Sequence, residues 1–470
     1  LPWWVISAVV HAVIFLLATL LTVAMPPAQV DEVVISTDVV KKEEQKYDEK
    51  LQRDIFKQHT EIQHETQVEK PVLIHEEAPV EDHFQTDNDM DTNTARGQED
   101  AISDIPLGGT GVVGSMGVGG GGMAGCFGYR DGGGRKRAVK RFGGSPATES
   151  AVEAALRWLK RHQESDGHWD NLKYCEGSVN GLGKGGDTGV TGLALLAFLG
   201  AGHTNKAGRF KDNVARAANF LVGKQKADGT ISDDRPGSHS LSYSHAIGTL
   251  ALAEVYGMTR DDRFRAPAQK AVDRVLAWQN NYSGWRYQPK DGQVDVSVTG
   301  WMVMALKSAK IAGLRIDATG FQGAIKWLDT NTNAKTGHIG YRGRGKQRWQ
   351  AAVSVCMLSK LLMGYPRTDE MLKKQSGLLL TDLPDWNKMA GKDQGHSMYY
   401  WYYGTLAMFQ IGGDGWKQWN VQMKRALLQN QCKGGPMDGT VNDKDGSWDP
   451  VSWLRVYGGG RVYTTAINAL

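Results

Sequence analysis

Two kinds of apolar pattern alternate along the C-terminal two thirds of the chain. In segments such as residues 155–163, apolar residues recur every three or four positions among charged ones, which predicts an amphipathic helix. After each comes a turn holding Gly and often Trp, and then a segment that is small or apolar at nearly every position. Such a segment predicts a helix buried on most sides. These second segments are residues 188–199, 244–256, 296–309, 350–363, 398–409 and 463–470.

The second segments recur with a regular period. They start near residues 187, 243, 295, 349, 398 and 462, at intervals of 49 to 64 residues. Periods of this length indicate a repeat architecture, here of helical hairpins with the amphipathic helix outside and the apolar helix inside. Six hairpins suit a closed ring better than an open superhelix, although the pattern alone does not prove closure. The predicted fold class is all-α, an α/α toroid of about six helical hairpins over residues 145–470.

Glutamine and tryptophan recur at the turns of these hairpins. Gln163 precedes Gly167-His168-Trp169, and Gln279 precedes Gly284-Trp285. This pattern resembles the QW motif of squalene and hopene cyclases. The resemblance covers about residues 145–470 and implies the α/α toroid of terpene cyclases and protein prenyltransferases. A Gln amide can bond exposed backbone at a helix end and a Trp can pack across the turn, so both are predicted to be structural.

The reacting groups of known toroid enzymes do not occur in this body. Its acidic pairs, Asp233-Asp234 and Asp261-Asp262, do not form the Asp-x-Asp-Asp acid of hopene-type cyclases. The Asp-x-Cys zinc pair of protein prenyltransferases and the Gly-Cys-Gly-Glu-Gln of complement-type toroids are also absent from the sequence. We therefore expect a binding protein without metal or other cofactor. The alternative is an enzyme acting in the toroid cavity, either a lyase or hydrolase of anionic glycans or a cyclase with a displaced acid.

A ring of helices leaves a central cavity, and the N-terminal ends of the inner helices open into it. Asp, His, Tyr and Arg residues occur at these ends in register, which suits a site for an anionic or apolar ligand. Asp187 and Asp295 can alternatively be N-caps, and the aromatic residues can be cavity walls. The candidate ligand-contacting residues are Asp187, Tyr243, His245, Asp295, Arg348, Trp349, His396, Tyr399, Tyr400 and Tyr463.

Residues 3–25 contain no charged side chain. As a helix these 23 positions rise roughly 34 Å, enough to cross a bilayer, and Pro26-Pro27 follows. A cleaved signal peptide is the alternative. Ser7 and His11 share one face of this helix. The Ser-x-x-x-His pair resembles the anchor of TonB-type energy transducers, which implies an ExbB/ExbD-type motor as partner; simple helix packing is the other interpretation.

Charge separates the middle of the chain from the toroid. Residues 31–100 hold 20 Asp and Glu against 8 Lys and Arg, a net of −12, so the remainder carries +16 of the total of +4. This acidic stretch and the Gly-rich residues 107–134 predict a flexible linker. The predicted domains are a transmembrane helix over residues 1–27, a linker over 28–144 and the toroid over 145–470.

Together these features predict a single-pass protein of a bacterial inner membrane, with membrane lipid around residues 3–25 and the toroid on the periplasmic side. Its expected role is to bind a ligand or partner, coupled to the motor subunits. The basic residues 135–141 lack interleaved aromatic residues, so no nucleic-acid partner is expected. The four cysteines have no CxxC spacing, which argues against a zinc ribbon or redox motif.

Overall fold

A computed structural model describes residues 11, 139, 142–174, 186–234, 237–343, 349–390, 397–450 and 460–470. From residue 139 onward they lie in one compact unit and contain thirteen helices and no β-strand. The helices are α1 (Pro146–Arg161), α2 (Asp187–Gly200), α3 (Lys211–Gly223), α4 (Ser240–Thr259), α5 (Asp262–Trp278), α6 (Val296–Ile311), α7 (Thr319–Asn331), α8 (Gln350–Leu362), α9 (Glu370–Leu380), α10 (Trp386–Ala390), α11 (Met398–Ile411), α12 (Gly413–Leu428) and α13 (Gly460–Ala469).

The helices form two layers, as the apolar patterns predict. In α2 every residue from Thr188 to Leu199 is buried, whereas α1 buries only one face, mainly through Ala155, Trp158 and Leu159. A helix that is apolar on all sides is stable in water only when neighbours cover it all round. The inner helices are α2, α4, α6, α8, α11 and α13, and the outer helices are α1, α3, α5, α7, α9 and α12.

The inner helices form a closed ring. Each packs against the next in the order α2, α4, α6, α8, α11 and α13, and α13 packs against α2. In the outer layer, α12 contacts α1 in the same way. The body is therefore an α/α toroid of six hairpins. The first and last hairpins meet at a seam.

A glutamine clasp joins each of four turns to the next outer helix. The Nε2 of Gln163 donates to the Gly167 carbonyl in its own turn at 2.9 Å and to the Asn213 carbonyl in α3 at 3.0 Å. The amides of Gln225, Gln279 and Gln431 also donate twice, once to a carbonyl in their own turn and once to a carbonyl in the neighbouring outer helix. The last of these reaches the Ala151 carbonyl in α1 at 2.8 Å, so it closes the ring.

Tryptophan anchors the same turns to both layers. The indole of Trp169 donates to the Leu159 carbonyl at the end of α1 at 2.8 Å, and its backbone N–H donates to Thr191 on α2 at 3.1 Å. Trp285 and Trp448 repeat this pattern in the third and sixth hairpins. The prediction that the Gln and Trp residues are structural is confirmed.

Polar contacts reinforce the seam. The Trp158 indole donates to the Asp443 carbonyl at 2.8 Å, and the Asp443 carboxylate accepts from Arg161 Nε at 2.6 Å. Asp443 is fully buried, so its ion pair with Arg161 is shielded from most of the solvent. Residues 282 positions apart thus hold the two ends of the toroid together.

In the described part of the chain, no helix combines the length and apolar character that a membrane crossing requires. The predicted span, residues 3–25, lies outside the described residues apart from His11, and Ser7 is among those outside.

We expect Gly446→Ala to destabilise the seam. Gly446 has φ +89°, and an added Cβ would lie 2.3 Å from the Ala154 carbonyl oxygen in α1. Left-handed strain of about 1–2 kcal/mol and overpacking of about 1–3 kcal/mol then add together. The free energy of unfolding, measured in guanidinium, should fall by about 2–5 kcal/mol.

Gly434→Ala is the matched control, since Gly434 has φ +75° but nothing within 4 Å of the added Cβ. In this variant the free energy of unfolding should fall only by the backbone strain, about 1–2 kcal/mol. Equal losses in the two variants would contradict a tight contact at the seam.

Candidate functional site

Polar and aromatic side chains meet at the N-terminal end of the inner ring. The starts of the inner helices contribute Tyr243, Asp295, Ser297 and Tyr399, and Trp349 lies immediately before α8. The turns before α6 and α8 add Tyr287 and Tyr341. We call these seven residues the end face.

A chain of hydroxyl groups crosses the centre of the ring at the end face. Tyr243 on α4 donates to Ser297 Oγ on α6 at 3.1 Å, and the Ser297 and Tyr399 hydroxyls lie 2.6 Å apart. α6 and α11 are not neighbours in the ring, because α8 lies between them. The contact between Ser297 and Tyr399 therefore spans the interior.

One helical turn deeper, the space between α6 and α11 is filled. The Trp301 ring stacks on Tyr402 with centroids 5.6 Å apart and meets the edge of Tyr403 at 5.5 Å. All three side chains are buried. Between these two helices the expected cavity is thus replaced by aromatic packing, and the end face above this level is where aromatic groups meet solvent.

Half-buried rings form a platform on the end face. Trp349 is stacked on Tyr399 with an angle of 7° between the rings, and it meets the edge of Tyr341 at 5.5 Å. The Tyr287 and Tyr341 hydroxyls are hydrogen-bonded to each other, and the exposed His239 ring stacks on Tyr287 at 4.2 Å. Mutual packing holds these rings in fixed orientations, which suits recognition of a flat ligand surface.

Asp295 provides a buried carboxylate beneath the platform. Its Oδ1 accepts from the Val298 N–H at 2.8 Å, so the alternative interpretation of Asp295 as an N-cap is confirmed. Burial raises the pKa of Asp295 to about 6, against the opposing effects of the Val298 N–H and of Arg286, whose Nε lies 3.4 Å from Oδ2. This carboxyl therefore titrates close to neutral pH.

Two guanidinium groups converge beside Asp295. Both Arg286 and Arg342 donate to Oε1 of Gln293, Arg342 from Nη2 at 2.6 Å. Arg286 is mostly buried, whereas Arg342 is exposed and has no carboxylate partner among the described residues. Asp291 lies at the same edge, where its Oδ1 accepts the Gln293 N–H at 2.9 Å.

Two of the predicted site residues, Asp187 and Tyr400, lie away from the platform of aromatic rings. Asp187 is the first residue of α2 and accepts from the Asn171 N–H at 2.9 Å, while burial raises its pKa. Gly186 is the N-cap, so the alternative interpretation of Asp187 as a cap is wrong. Tyr400 is fully buried and donates to the Asp382 carbonyl at 2.8 Å, facing the outer layer.

In the second hairpin, His245 accepts the hydrogen bond from the turn that a threonine accepts in other hairpins. Its Nδ1 accepts from the Ile231 N–H at 3.1 Å, the role of Thr191 and Thr299 in the first and third hairpins. The ring is fully buried and stacks on Trp278 at 5.3 Å. Burial lowers its pKa to about 3, so it stays neutral, and its position is structural rather than ligand-facing.

Tyr463 on α13 is half-buried, and burial raises its pKa. An electrostatic interaction links Tyr463 to Tyr399 and Tyr403, so Tyr463 lies near the end face. Arg348 and His396 lie outside the described residues.

The turn residues of the end face were not predicted. Tyr287 and Tyr341 are 54 residues apart, which is the repeat period, and each precedes an inner helix of successive hairpins. An arginine stands beside each of them in sequence, Arg286 and Arg342. A comparison of turns between repeats, rather than of helix starts alone, would have found these pairs.

Comparison with known proteins supports the fold. Residues 136–241 match the family model of the squalene-hopene cyclase C-terminal domain. Among curated proteins, none matches the chain significantly. Two solved structures are similar over 68% of this chain: an alpha-amylase from Clostridium perfringens (13% identity, 95% of its chain, TM-score 0.46) and a protein from Actinoplanes (16% identity, 97% of its chain, TM-score 0.41). Both TM-scores are too low to carry a functional argument.

The buried imidazole generates a pH prediction. His245 has a folded-state pKa of about 3, below the unfolded value near 6.5, so the unfolded chain gains a proton as pH falls and the folded chain does not. This group's contribution to stability is present above pH 6.5 and is lost progressively below it. Between pH 7 and 4.5 the wild type should lose about 2–3 kcal/mol more than His245→Thr.

The measurement is guanidinium unfolding of both proteins at several pH values, with their difference removing the contributions of shared groups. At pH 7 the variant should be less stable by about 1–3 kcal/mol, because threonine fills less of the site beside Trp278. Parallel pH profiles would contradict a buried neutral His245.

Proposed function

We propose that the end face binds an anionic ligand that carries flat apolar ring surfaces, with an acidic glycan as the best-fitting class. One observation carries this proposal: Arg286 and Arg342 converge on Gln293 beside a platform of half-buried aromatic rings. Guanidinium groups bind carboxylates through paired hydrogen bonds, and aromatic faces pack against the apolar faces of sugar rings.

The charges near the platform favour an anion. Arg286 is paired with the buried Asp295, whose ionisation burial disfavours, whereas Arg342 has no carboxylate partner among the described residues. A ligand carboxylate beside Arg342 would supply the missing negative charge at an exposed position, where it would lose little hydration.

An enzyme acting on such a glycan is the alternative. Asp295, with a pKa of about 6, is favourable for proton transfer near neutral pH. However, one of its oxygens already caps α6, and burial raises the pKa values of Tyr243, Tyr341 and Tyr399, which makes these tyrosines poor bases. We therefore favour binding without turnover.

The same proposal extends to the cell envelope. The span at residues 3–25 would anchor the chain in a bacterial inner membrane, and the linker would place the toroid in the periplasm. The TonB-like Ser7 and His11 pair would dock on an ExbB/ExbD-type motor, because a polar pair facing lipid is costly and is stabilised by a protein partner. The protein would then couple a membrane motor to a ligand held on the toroid.

We expect Arg342→Glu to weaken binding of a galacturonate trimer at least tenfold in isothermal titration. The charge reversal replaces an attraction with a repulsion at an exposed position, so the fold should not change. Arg265→Glu, an equally exposed change on α5, is the matched control and should bind like the wild type.

The methyl ester of the trimer should bind the wild type weakly, because it lacks the charge. Unchanged affinity in Arg342→Glu would refute the proposed site. Degradation of the trimer by the wild type but not by Asp295→Asn, which keeps a capping residue, would instead support the enzyme.

The anchor is tested separately with full-length protein extracted in mild detergent from its native membrane. Motor subunits should co-purify with the wild type and be lost with His11→Ala. Thr19→Ala, another polar change in the same apolar stretch, should retain them. If no motor subunit accompanies the wild type, or if His11→Ala keeps it, the transducer proposal is wrong.

A further inference from the structure

A cleft of about 500 Å³ lies in the outer layer and shares no lining residue with the end face. One wall is the connection after α9 together with the short helix α10, and the other is the C-terminal half of α12. From these elements we propose that the cleft is a second ligand site, for a small hydroxylated ring compound with one carboxylate, such as a uronic acid unit. This inference does not depend on the function proposed for the end face.

The cleft lies where the repeat changes. Glutamine clasps from Gln163, Gln225, Gln279 and Gln431 join four turns to the next outer helix, and Gln375 on α9 donates to the Gly337 carbonyl of the fourth turn. Among the described residues, no glutamine bridges the turn after α9 to α12. The cleft opens at this joint, between the fifth and sixth outer helices.

The wall formed by α10 is held firmly from the inside. Tyr400 on α11 donates to the Asp382 carbonyl, and the buried Trp401 ring packs against Trp386 with centroids 6.2 Å apart. Pro384 and Met389 are also buried. Trp386, packed on the core on one side, is half-exposed and lines the cleft on the other. The ring is thus positioned before any ligand arrives, which lowers the entropy cost of binding.

The α12 wall presents polar groups in register. Gln422, Arg425 and Gln429 are spaced three and four residues apart, so they share one helix face. They line the cleft, and no hydrogen bond or ion pair involves their side chains among the described residues. Amides and a guanidinium on one wall, opposite an indole on the other, match the hydroxyl groups and the apolar face of a sugar ring.

The charges indicate an acidic sugar. The charged residues of the cleft are Asp385, Lys388 and Arg425. Asp385 accepts the Asn387 N–H at 2.9 Å, and Lys388 lies 3.5 Å from Asp382. Arg425 alone has no partner among the described residues, so a carboxylate is the complementary group. The volume falls within the range of about 300–1,000 Å³ usual for small-molecule sites.

The test uses the full chain and glucuronate, with glucose as the uncharged counterpart, in ligand-observed NMR titrations. Wild type should bind glucuronate at least tenfold more tightly than glucose. In an Arg342→Gln background, which removes the exposed guanidinium of the end face, Arg425→Gln should remove this preference, and Trp386→Ala should lower the affinity for both sugars at least tenfold. Arg265→Gln, an exposed change on α5, is the matched control and should bind like the wild type.

The same titrations in an Arg342→Gln background separate this site from the end face. Glucuronate binding that survives Arg342→Gln and is lost with Arg425→Gln supports the cleft. The proposal is overturned if Arg342→Gln shows no preference for glucuronate, or if adding Arg425→Gln to it leaves that preference in place. Loss caused by Arg342→Gln alone also overturns it and assigns the binding to the end face.

Discussion

The toroid depends on one repeated interaction, the amide of a glutamine that donates to two backbone carbonyls. One carbonyl lies in the glutamine's own turn and the other in the next outer helix, so a single side chain fixes the position of one repeat against its neighbour. A half-buried amide that lost either acceptor would forfeit about 1–3 kcal/mol, which makes the arrangement specific. Because the clasp of Gln431 returns to α1, the same local rule that joins neighbours also closes the ring.

This bonding pattern is kept where the residues change. Residues 332–343, which follow α7, contain no glutamine, and Gln375 on α9 supplies the bond to the Gly337 carbonyl of this turn. In the second hairpin, His245 replaces the threonine that receives the turn's N–H. A repeat can therefore vary in sequence as long as its turn stays bonded to its neighbours, and the cleft appears at the fifth turn, where none of the described glutamines forms the clasp.

The bounds of the inner helices were predictable from the sequence to within a few residues, because a helix that is apolar on all faces is stable only when it is buried on all sides. The site was less predictable. A position near a helix start does not say which side of the helix it faces, so His245 and Tyr400 were grouped with Tyr243 although they point into the core. Tyr287 and Tyr341 lie in turns, where no helical periodicity marks them, and only their 54-residue separation relates them.

The seam has a mechanical consequence. Tension applied to the chain ahead of α1 first meets Phe142 and Gly143, whose carbonyls accept hydrogen bonds from side chains of α12, and then α1 itself. Three side-chain contacts hold α1 to the turn after α12. They are the Arg161–Asp443 ion pair, the hydrogen bond from the Trp158 indole to the Asp443 carbonyl, and the hydrogen bond from the Gln431 amide to the Ala151 carbonyl. Several such bonds must break together before the first hairpin separates. The seam is the joint between hairpins that the covalent chain does not span. There the side-chain contacts themselves resist a pull on the N-terminal side of the ring.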